Sequence, residues 1–130
     1  MSAEALILLG HGARDPAWAQ PLQRIREQVC VARPGIMVEV AFLELLTPLL
    51  EEAVAALVAR GAECLCVLPV FLASGRHLKH DLPRRLDALG GRYPGCALRL
   101  AAAVGENAEI IAAIAAHALM QLDRSVVRGG

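Results

Sequence analysis

The sequence predicts one α/β domain in which a four-stranded parallel sheet carries helices on both faces. Three observations lead to this prediction. The first is the length, because 130 residues suit one hydrophobic core. The second is that short apolar runs alternate with stretches of helical periodicity, and the third is that prolines and glycines mark their boundaries. Strands that alternate with helices form parallel sheets with right-handed crossovers. We expect the domain to span residues 1–123 and residues 124–130 to form a frayed tail.

The first strand and helix are predicted in the N-terminal quarter of the chain. Residues 5–9 form an apolar run that ends at a glycine, as expected for a strand buried on both faces. Asp15 and Pro16 predict a helix start, because aspartate caps free amides and proline suits the first helical position. Pro34 and Gly35 end this helix. Its expected buried side consists of Trp18, Leu22, Ile25 and Val29.

The central part of the chain repeats the pattern. Residues 36–43 are rich in β-branched side chains and predict the second strand. Thr47 and Pro48 open the second helix, which ends at Gly61. Residues 64–71 predict the third strand. The expected buried side of the second helix consists of Leu50, Val54, Leu57 and Val58.

The C-terminal part predicts a further helix, strand and helix. The third helical pattern follows a turn and is expected to close at Gly90 and Gly91, with Leu82, Leu86 and Leu89 on its buried side. Residues 96–104 predict a weaker fourth strand, and the last helix follows Asn107. The expected buried side of the last helix consists of Ile111, Ile114, Ala118 and Leu122.

The composition argues against several classes of protein. The formal net charge is zero, so no broad basic face is available for nucleic acid. The longest apolar run, residues 64–73, is interrupted by Pro69, whereas a membrane span needs about 20 residues. The N-terminus lacks the positive region of a signal peptide. We therefore expect no nucleic-acid or membrane partner, a cytoplasmic location, and reduced thiols that pack as small hydrophobes at Cys30, Cys64, Cys66 and Cys96.

His11 is the first residue that suggests chemistry, because ligands of open α/β sheets bind beyond the carboxyl ends of the strands. It lies between Gly10 and Gly12, and small flanking residues let a ligand approach the imidazole. The alternative is a tight strand-to-helix turn with a passive histidine. The segment lacks the glycine spacing and the lysine of a phosphate-binding loop.

His77 follows the third strand, with His80 and Asp81 three and four residues later. On a helix these side chains share one side and could form a local metal site. The alternative is that His80 and Asp81 face solvent, with Asp81 capping the helix that contains Pro83. His117 lies among apolar residues of the last helix and is interpreted as a packed or edge histidine.

Glu44 interrupts an apolar stretch at the end of the second strand. A carboxylate in apolar surroundings must be paired, hydrogen-bonded or metal-bound, so an arginine or backbone amides are the alternative to a metal. His11, Glu44 and His77 together lie at one sheet edge and form a plausible set of donors for a divalent metal.

The order of the motifs resembles the class II chelatases, and more closely the short, single-domain sirohydrochlorin chelatases of the CbiX type. The motifs are LGHGARDP at 9–16, AFLE at 41–44, LPVFL at 68–72, GRH at 75–77 and DLP at 81–83. The resemblance covers nearly the whole chain. It implies a flavodoxin-like, chelatase-like single lobe that inserts a divalent metal into sirohydrochlorin, a precorrin-derived tetrapyrrole, without ATP, in cobalamin or siroheme biosynthesis.

The resemblance also implies roles for individual residues. His11 matches the metal ligand and proton acceptor of the family, His77 the second histidine and Glu44 the acid of the second strand. The metal is a substrate, and His and Glu donors suit Co²⁺, Fe²⁺ or Ni²⁺; no organic cofactor is expected. His80 stands where many members carry another polar residue, which leaves a secondary metal contact open. The expected substrate contacts are Gly12, Arg14, Leu45, Phe71, Leu72, Ala73, Ser74, Gly75 and Arg76.

These roles agree with the chemistry of metal insertion. Neutral imidazoles hold metal ions and accept protons near neutral pH, and a carboxylate compensates charge and adds a second acceptor. Arg14, Arg76 and Lys79 are expected near the rim, where they can bind the carboxylates of the tetrapyrrole.

A homodimer is expected because a flat tetrapyrrole is broader than the edge of a four-stranded sheet. Longer members of the family have two similar lobes around a cleft, and a second copy would close the cleft with the same surface. Two alternatives come from other classes. A histidine phosphatase would need an arginine in place of Gly10, and a non-catalytic metal carrier would use the same residues without turnover.

Overall fold

The computed structural model describes the backbone of residues 3–129 and the side chains of residues 3–122. The described residues form four strands and four α-helices, and short 3-10 helices at Pro16–Ala19 and Val104–Glu106 precede the first and last α-helix. The frayed tail expected at 124–130 falls where the side chains lie outside the described residues, so it stays a prediction. The strands and α-helices are β1 (Glu4–Gly10), α1 (Gln20–Ala32), β2 (Met37–Phe42), α2 (Leu50–Ala59), β3 (Cys64–Pro69), α3 (Arg76–Arg92), β4 (Ala97–Leu100) and α4 (Ala108–Gly129).

The four strands form one parallel sheet in the order β2-β1-β3-β4, which confirms the predicted fold class. β1 is central, and Leu8 pairs with Val40 of β2 on one side and with Leu68 of β3 on the other. Because all strands are parallel, their carboxyl ends lie at one edge of the sheet. Among the described residues, no helix combines the length and apolar character that crossing a membrane requires.

Helices cover the two faces of the sheet unequally. The α2–α3 face is the larger core, where side chains of α2 and α3 pack on β1 and β3. The α1 face is a smaller core, in which Leu22 of α1 packs on Val38, Val40 and Phe42 of β2 and on Leu8. Fully burying a leucine or valine side chain contributes about 1.5–3 kcal/mol, so the α2–α3 face supplies most of the hydrophobic stabilisation. Its most deeply buried side chains are Ile7, Leu9, Leu50, Val54, Leu57, Leu65 and Val67.

The entry into α1 differs from the prediction. Asp15 caps as expected, since its Oδ1 accepts from the amide of Ala17 at 2.9 Å, but the turn it caps is 3-10, and the α-helix begins only at Gln20. A 3-10 turn has three residues per turn, which rotates the earlier side chains away from the later ones. Trp18 is therefore 69% exposed, and Ile25 is exposed as well, so the predicted buried side is wrong at both positions.

The predicted start of α2 and the predicted end of α3 are also wrong. α2 begins at Leu50 instead of Thr47, and the carboxylate of Glu52 accepts a hydrogen bond from the amide of Leu49 at 2.7 Å. α3 continues through both glycines to Arg92. Neither of these corrections changes the sheet edge at which ligands are expected.

Asp81 does not cap α3. The helix starts at Arg76 with Gly75 as its N-cap, so Asp81 lies inside the second turn. Its carboxylate lies 4.0 Å from the guanidinium of Arg85, one turn further along the helix. Asp81 is exposed, which agrees with the alternative interpretation that its side chain faces solvent.

Several side chains expected in the core are exposed or only half-buried. The predicted buried side of α4 is wrong, because Ile111, Ile114 and Leu122 are between 46% and 62% exposed. The four cysteines are free thiols, as predicted, but Cys64 is exposed and only Cys96 is buried.

Candidate active site

The loops that follow β1 and β2 run side by side at the carboxyl edge of the sheet. The amide of Leu43 donates to the carbonyl of Gly10 at 3.1 Å, and the amide of Glu44 donates to the carbonyl of His11 at 3.2 Å. The parallel pairing thus continues beyond the last residues of both strands. As a result, His11 and Glu44 lie on adjacent segments of backbone.

Close packing of the backbone explains both glycines around His11. Gly12 has a φ of 101°, and a Cβ built on it would overlap the carbonyl oxygen of Glu44. A Cβ on Gly10 would lie 3.2 Å from a methyl group of Leu22 and 3.3 Å from the ring of Phe42. The glycines therefore allow the tight turn that the alternative interpretation expected, and this turn leaves His11 exposed.

The side chain of His11 lies against Phe71. The two ring centroids are 4.2 Å apart, and the ring planes are inclined by 34°. The amide of Val70 donates to the carbonyl of Leu9 at 2.8 Å, which extends the pairing of β1 and β3 and brings Phe71 beside the end of β1. Phe71 is only 9% exposed and belongs to the α2–α3 core, so the imidazole has a rigid apolar support on one side.

The loop after β3 is held by the turn that precedes α4. The amide of Gly105 donates to the carbonyl of Phe71 at 3.3 Å, and a Cβ on Gly105 would overlap the carbonyl oxygen of Leu72. The ammonium group of Lys79 lies 3.9 Å from the carboxylate of Glu106 in the same turn. These contacts fix the segment 71–75, which leaves the side chain of Leu72 64% exposed.

His77 occupies the second position of α3, directly after this loop, and its side chain is exposed. α3 is held by the packing of Leu82, Leu86 and Leu89 in the α2–α3 core and by an ion pair with α2, in which Nε of Arg85 donates to Oε1 of Glu51 at 2.8 Å. Arg85 is only 26% exposed, so this pair is partly shielded from solvent. The helix therefore presents His77 at the same sheet edge as His11.

Glu44 does not lie in apolar surroundings, contrary to the expectation from its neighbours in the sequence. It is exposed in a tight turn in which the amide of Leu46 donates to the carbonyl of Glu44 at 2.8 Å. Leu45, at the centre of the turn, has a φ of 68°, a conformation that costs about 1–3 kcal/mol for a residue other than glycine. This turn carries the carboxylate of Glu44 out to solvent and leaves the side chain of Leu45 59% exposed.

The three expected metal ligands share the sheet edge without forming a closed cage. Within residues 3–122, no three side chains of His, Cys, Asp or Glu converge closely enough to hold a metal ion. A metal bound at this edge would therefore need donors in addition to those that one lobe assembles. The roles of His11, Glu44 and His77 as ligands stay a prediction.

The other expected contacts surround the same edge. Arg14 and Arg76 are exposed, and neither forms an ion pair within the part of the chain that the structure describes. Ala73 is exposed and Ser74 half-buried. The edge thus combines apolar surface at Leu45 and Leu72 with two available guanidinium groups.

The remaining histidines lie apart from this arrangement or at its rim. His80 is exposed, one turn of α3 beyond His77. His117 is exposed in the middle of α4, and its Nε2 lies 3.3 Å from Nε2 of Gln121. His117 was expected to pack or to lie at an edge, and it does not pack, because its side chain is exposed.

Sequence reasoning missed two residues at this edge. Trp18 was assigned to the core, whereas it is exposed in the 3-10 turn that follows the His11 loop. Gly105 was interpreted only as part of a turn, whereas it permits the close approach of the turn to Leu72. The proline and aspartate before Trp18 indicated a helix but not its 3-10 geometry, and no sequence pattern indicated the role of Gly105.

An open parallel sheet with an exposed histidine, apolar side chains and cations at its carboxyl edge defines an α/β ligand-binding lobe. The chain belongs to the CbiX family, whose model matches residues 5–119. The resemblance inferred from the motifs is thereby confirmed.

Similar proteins include one of similar length and others that are longer. The crystal structure of a CbiX protein from Marinobacter aquaeolei VT8 is 31% identical with a TM-score of 0.80, covering 93% of this chain and 98% of that chain. Sirohydrochlorin cobaltochelatase of Methanopyrus kandleri is 42% identical over 82 residues, which are 63% of this chain and 57% of that protein. Sirohydrochlorin ferrochelatase of Bacillus subtilis is 31% identical over 112 residues, 85% of this chain and 42% of that protein. The chain therefore spans less than two thirds of the length of either of these two chelatases.

Proposed function

We propose that this protein is a sirohydrochlorin chelatase, which inserts a divalent metal into sirohydrochlorin without a nucleotide. The observation that carries the proposal is the exposed imidazole of His11, held on Phe71 at the end of the central strand of a CbiX-family lobe. The names of the cobaltochelatase and ferrochelatase relatives support this substrate and reaction. Co²⁺ and Fe²⁺ are the proposed metals, Ni²⁺ is a further candidate, and no organic cofactor takes part.

The exposed side chains at the sheet edge fit a flat tetrapyrrole with carboxylate arms. Leu45 and Leu72 offer apolar surface to the face of the ring. Arg14 and Arg76 are available to the carboxylates, and guanidinium groups bind carboxylates through two parallel hydrogen bonds. Binding by these groups orients the ring nitrogens toward the edge.

Metal insertion exchanges one divalent ion for the two protons on the pyrrole nitrogens. His11 first holds the ion through its unprotonated ring nitrogen, and after the ion has passed to the pyrrole nitrogens the same ring nitrogen accepts one of the two released protons. His77 is the second imidazole at the edge, and Glu44 compensates charge and accepts the other proton. The four ring nitrogens supply the donors that one lobe lacks, so a closed three-residue cage is not needed for transfer.

We further propose that the active form is a homodimer in the cytoplasm, in cobalamin or siroheme biosynthesis. One lobe would leave much of the ring in water, and a second copy would cover it with the same surface. The free cysteines are compatible with a reducing compartment. Light scattering at working concentration tests the assembly, and a strictly monomeric protein with full activity would contradict it.

The activity is tested by following the absorbance of metal-free sirohydrochlorin under anaerobic conditions. Co²⁺, Fe²⁺ and Ni²⁺ are added separately, with and without the protein, and no ATP is present. We expect a rate well above the spontaneous reaction for at least one metal. If the protein binds metal but each rate equals that of the spontaneous reaction, the enzyme proposal fails and a carrier role replaces it.

A further inference from the structure

Trp18 is the largest apolar side chain that is exposed among the described residues, and 69% of it is accessible to solvent. Neither hydrophobic core includes its indole, and within residues 3–122 the ring forms no aromatic or cation–π contact. Single exposed apolar side chains are common on protein surfaces, so exposure alone does not indicate a ligand. The position and the rigidity of Trp18 are what distinguish it.

The contacts of α1 place Trp18 above the carboxyl edge of the sheet. Directly after the helix, the guanidinium of Arg33 lies 2.8 Å from the carboxylate of Glu4 at the start of β1. Near the helix start, a methyl group of Leu22 packs against Gly10 at the end of β1. α1 therefore runs opposite to the strands. The 3-10 turn continues into α1 without a break, so the four residues from Leu22 back to Trp18 extend about 6–8 Å beyond the sheet.

The turn that carries Trp18 is rigid. The amide of Trp18 donates to the carbonyl of Asp15 at 3.2 Å, and Oδ1 of Asp15 accepts from the amide of Ala17 at 2.9 Å. Pro16 lies at the start of the 3-10 turn and Pro21 at the start of α1, and each proline fixes its own φ. A tryptophan on such a support offers a large contact area at a small cost in conformational entropy.

Trp18 and Phe71 are connected to opposite faces of the sheet, and His11 lies between these faces at the end of the central strand. Phe71 belongs to the α2–α3 core, and its ring supports the imidazole from that side. Trp18 precedes α1, which packs on the other face. A flat ring with its nitrogens over His11 therefore extends toward Trp18 on one side. The exposed guanidinium of Arg14, on the same connection, is available to a carboxylate arm of that ring.

We propose that the indole of Trp18 stacks on the conjugated ring of the tetrapyrrole and positions the ring nitrogens over His11. This inference rests on the proposed function, because sirohydrochlorin is the flat ring that the site is proposed to bind. Aromatic rings attract each other in offset-stacked and edge-to-face arrangements, and this attraction adds to the effect of the apolar area that they bury. Trp18 is thus a substrate-positioning residue and takes no part in the transfer of metal or protons.

Equilibrium binding of metal-free sirohydrochlorin tests this contact without any metallation. The absorbance of the ring is titrated anaerobically with the unmodified protein and with Trp18→Ala, Trp18→Phe and Trp18→Leu. We expect Trp18→Ala to bind about tenfold more weakly or worse, since stacking on an aromatic side chain has an effect of this size on the binding of flat bases. Trp18→Phe should restore most of the affinity because it keeps an aromatic face, whereas Trp18→Leu should not.

The control and the contrary results come from the same titration. Val31→Ala is the matched control, because Val31 is 81% exposed at the opposite end of α1, and its affinity should be unchanged. Equal binding by the unmodified protein and Trp18→Ala would overturn the stacking. Trp18→Leu binding as tightly as Trp18→Phe would also overturn it, since the contact would then depend on apolar area alone. If the unmodified protein does not bind sirohydrochlorin, the proposed function fails and the stacking fails with it.

The fluorescence of Trp18 tests whether a second copy of the chain, instead of the tetrapyrrole, covers the indole. The sequence contains one tryptophan, so tryptophan emission reports on this side chain alone. We expect acrylamide to quench the ligand-free protein nearly as strongly as the urea-unfolded protein, and Trp18→Ala to leave the light scattering unchanged. An indole that acrylamide does not reach, or a changed oligomeric state of Trp18→Ala, would assign Trp18 to an interface and overturn the proposal.

Discussion

The imidazole of His11 rests on the ring of Phe71, with the centroids 4.2 Å apart and the planes inclined by 34°. The two side chains come from the ends of neighbouring strands, because β1 and β3 stay paired up to Val70. Phe71 is fixed in the core, whereas His11 is exposed. The core thus restricts the orientations available to His11, the side chain that is proposed to matter most for metal insertion.

Phe71→Leu is expected to slow metallation by about tenfold, because a positioned acid–base group contributes about 10²–10⁴-fold and part of this depends on its orientation. KM for sirohydrochlorin should change less than kcat. Phe42→Leu is the matched control, since Phe42 is similarly buried but packs in the core of the α1 face. Steady-state kinetics of both variants check the prediction, and equal losses of kcat would contradict a specific role for Phe71.

The stability of the protein is expected to decrease above about pH 9. Burial raises the pKa of the Cys96 thiol above its ordinary value of 9.0, and the nearby Cys64 and Glu63 add to this effect. As the pH rises, the Cys96 thiol therefore ionises in the unfolded chain before it ionises in the folded protein. The stability that the protonated thiol contributes is lost progressively until the pH reaches the folded-state pKa. Urea unfolding at pH 8–10 checks this prediction, and Cys96→Ala should reduce the slope. An identical slope in the variant would exclude Cys96 as its cause.

The sheet and its edge were predictable from the sequence, whereas the surroundings of single residues were not. β1 and β3 are apolar runs, and buried parallel strands have this composition, so their order along the chain indicated a parallel sheet. The same reasoning failed at Glu44. Its apolar neighbours suggested burial, but the turn centred on Leu45 carries the carboxylate to solvent.

Helical periodicity predicted α4 but not its environment. The spacing of Ile111 and Ile114 shows that one side of the helix is apolar, and it contains no information about which surface covers that side. Trp18 illustrates a second limit, because a change from 3-10 to α geometry between Ala19 and Gln20 alters which residues share a side. Both errors concern relations between elements, which a local pattern does not encode.

Gly12→Ala is expected to destabilise the protein more than Gly35→Ala. Both glycines have a positive φ, of 101° and 94°, so both variants incur backbone strain of about 1–3 kcal/mol. Only at Gly12 would the added Cβ also overlap a backbone atom, the carbonyl oxygen of Glu44, whereas nothing lies within 4 Å at Gly35. Urea unfolding compares the free energies, and metallation should decrease only for Gly12→Ala. Equal destabilisation would indicate that the overlap relaxes freely.

Glu44→Gln is expected to slow metallation while leaving the fold intact. The side chain is exposed and forms none of the side-chain hydrogen bonds or ion pairs found among the described residues, so the amide should be accommodated without loss of stability. The change removes the charge and the proton acceptor, and the rate should fall about tenfold or more, as for the loss of an acid–base group. An unchanged rate would remove Glu44 from the mechanism.

His11→Ala and His77→Ala are expected to reduce metallation by about 10²–10⁴-fold, the usual effect of losing a metal ligand or general base. Both side chains are exposed, so circular dichroism should show a preserved fold. His11 should matter most, because it is proposed both to hold the metal and to accept protons.

His117→Ala is the matched control, since this exposed histidine of α4 contacts Gln121 and should leave the rate near that of the unmodified protein. His80→Ala is expected to have a mild effect, because His80 lies one turn beyond His77. Full activity of a well-folded His11→Ala protein would require both the mechanism and the proposed site to be abandoned.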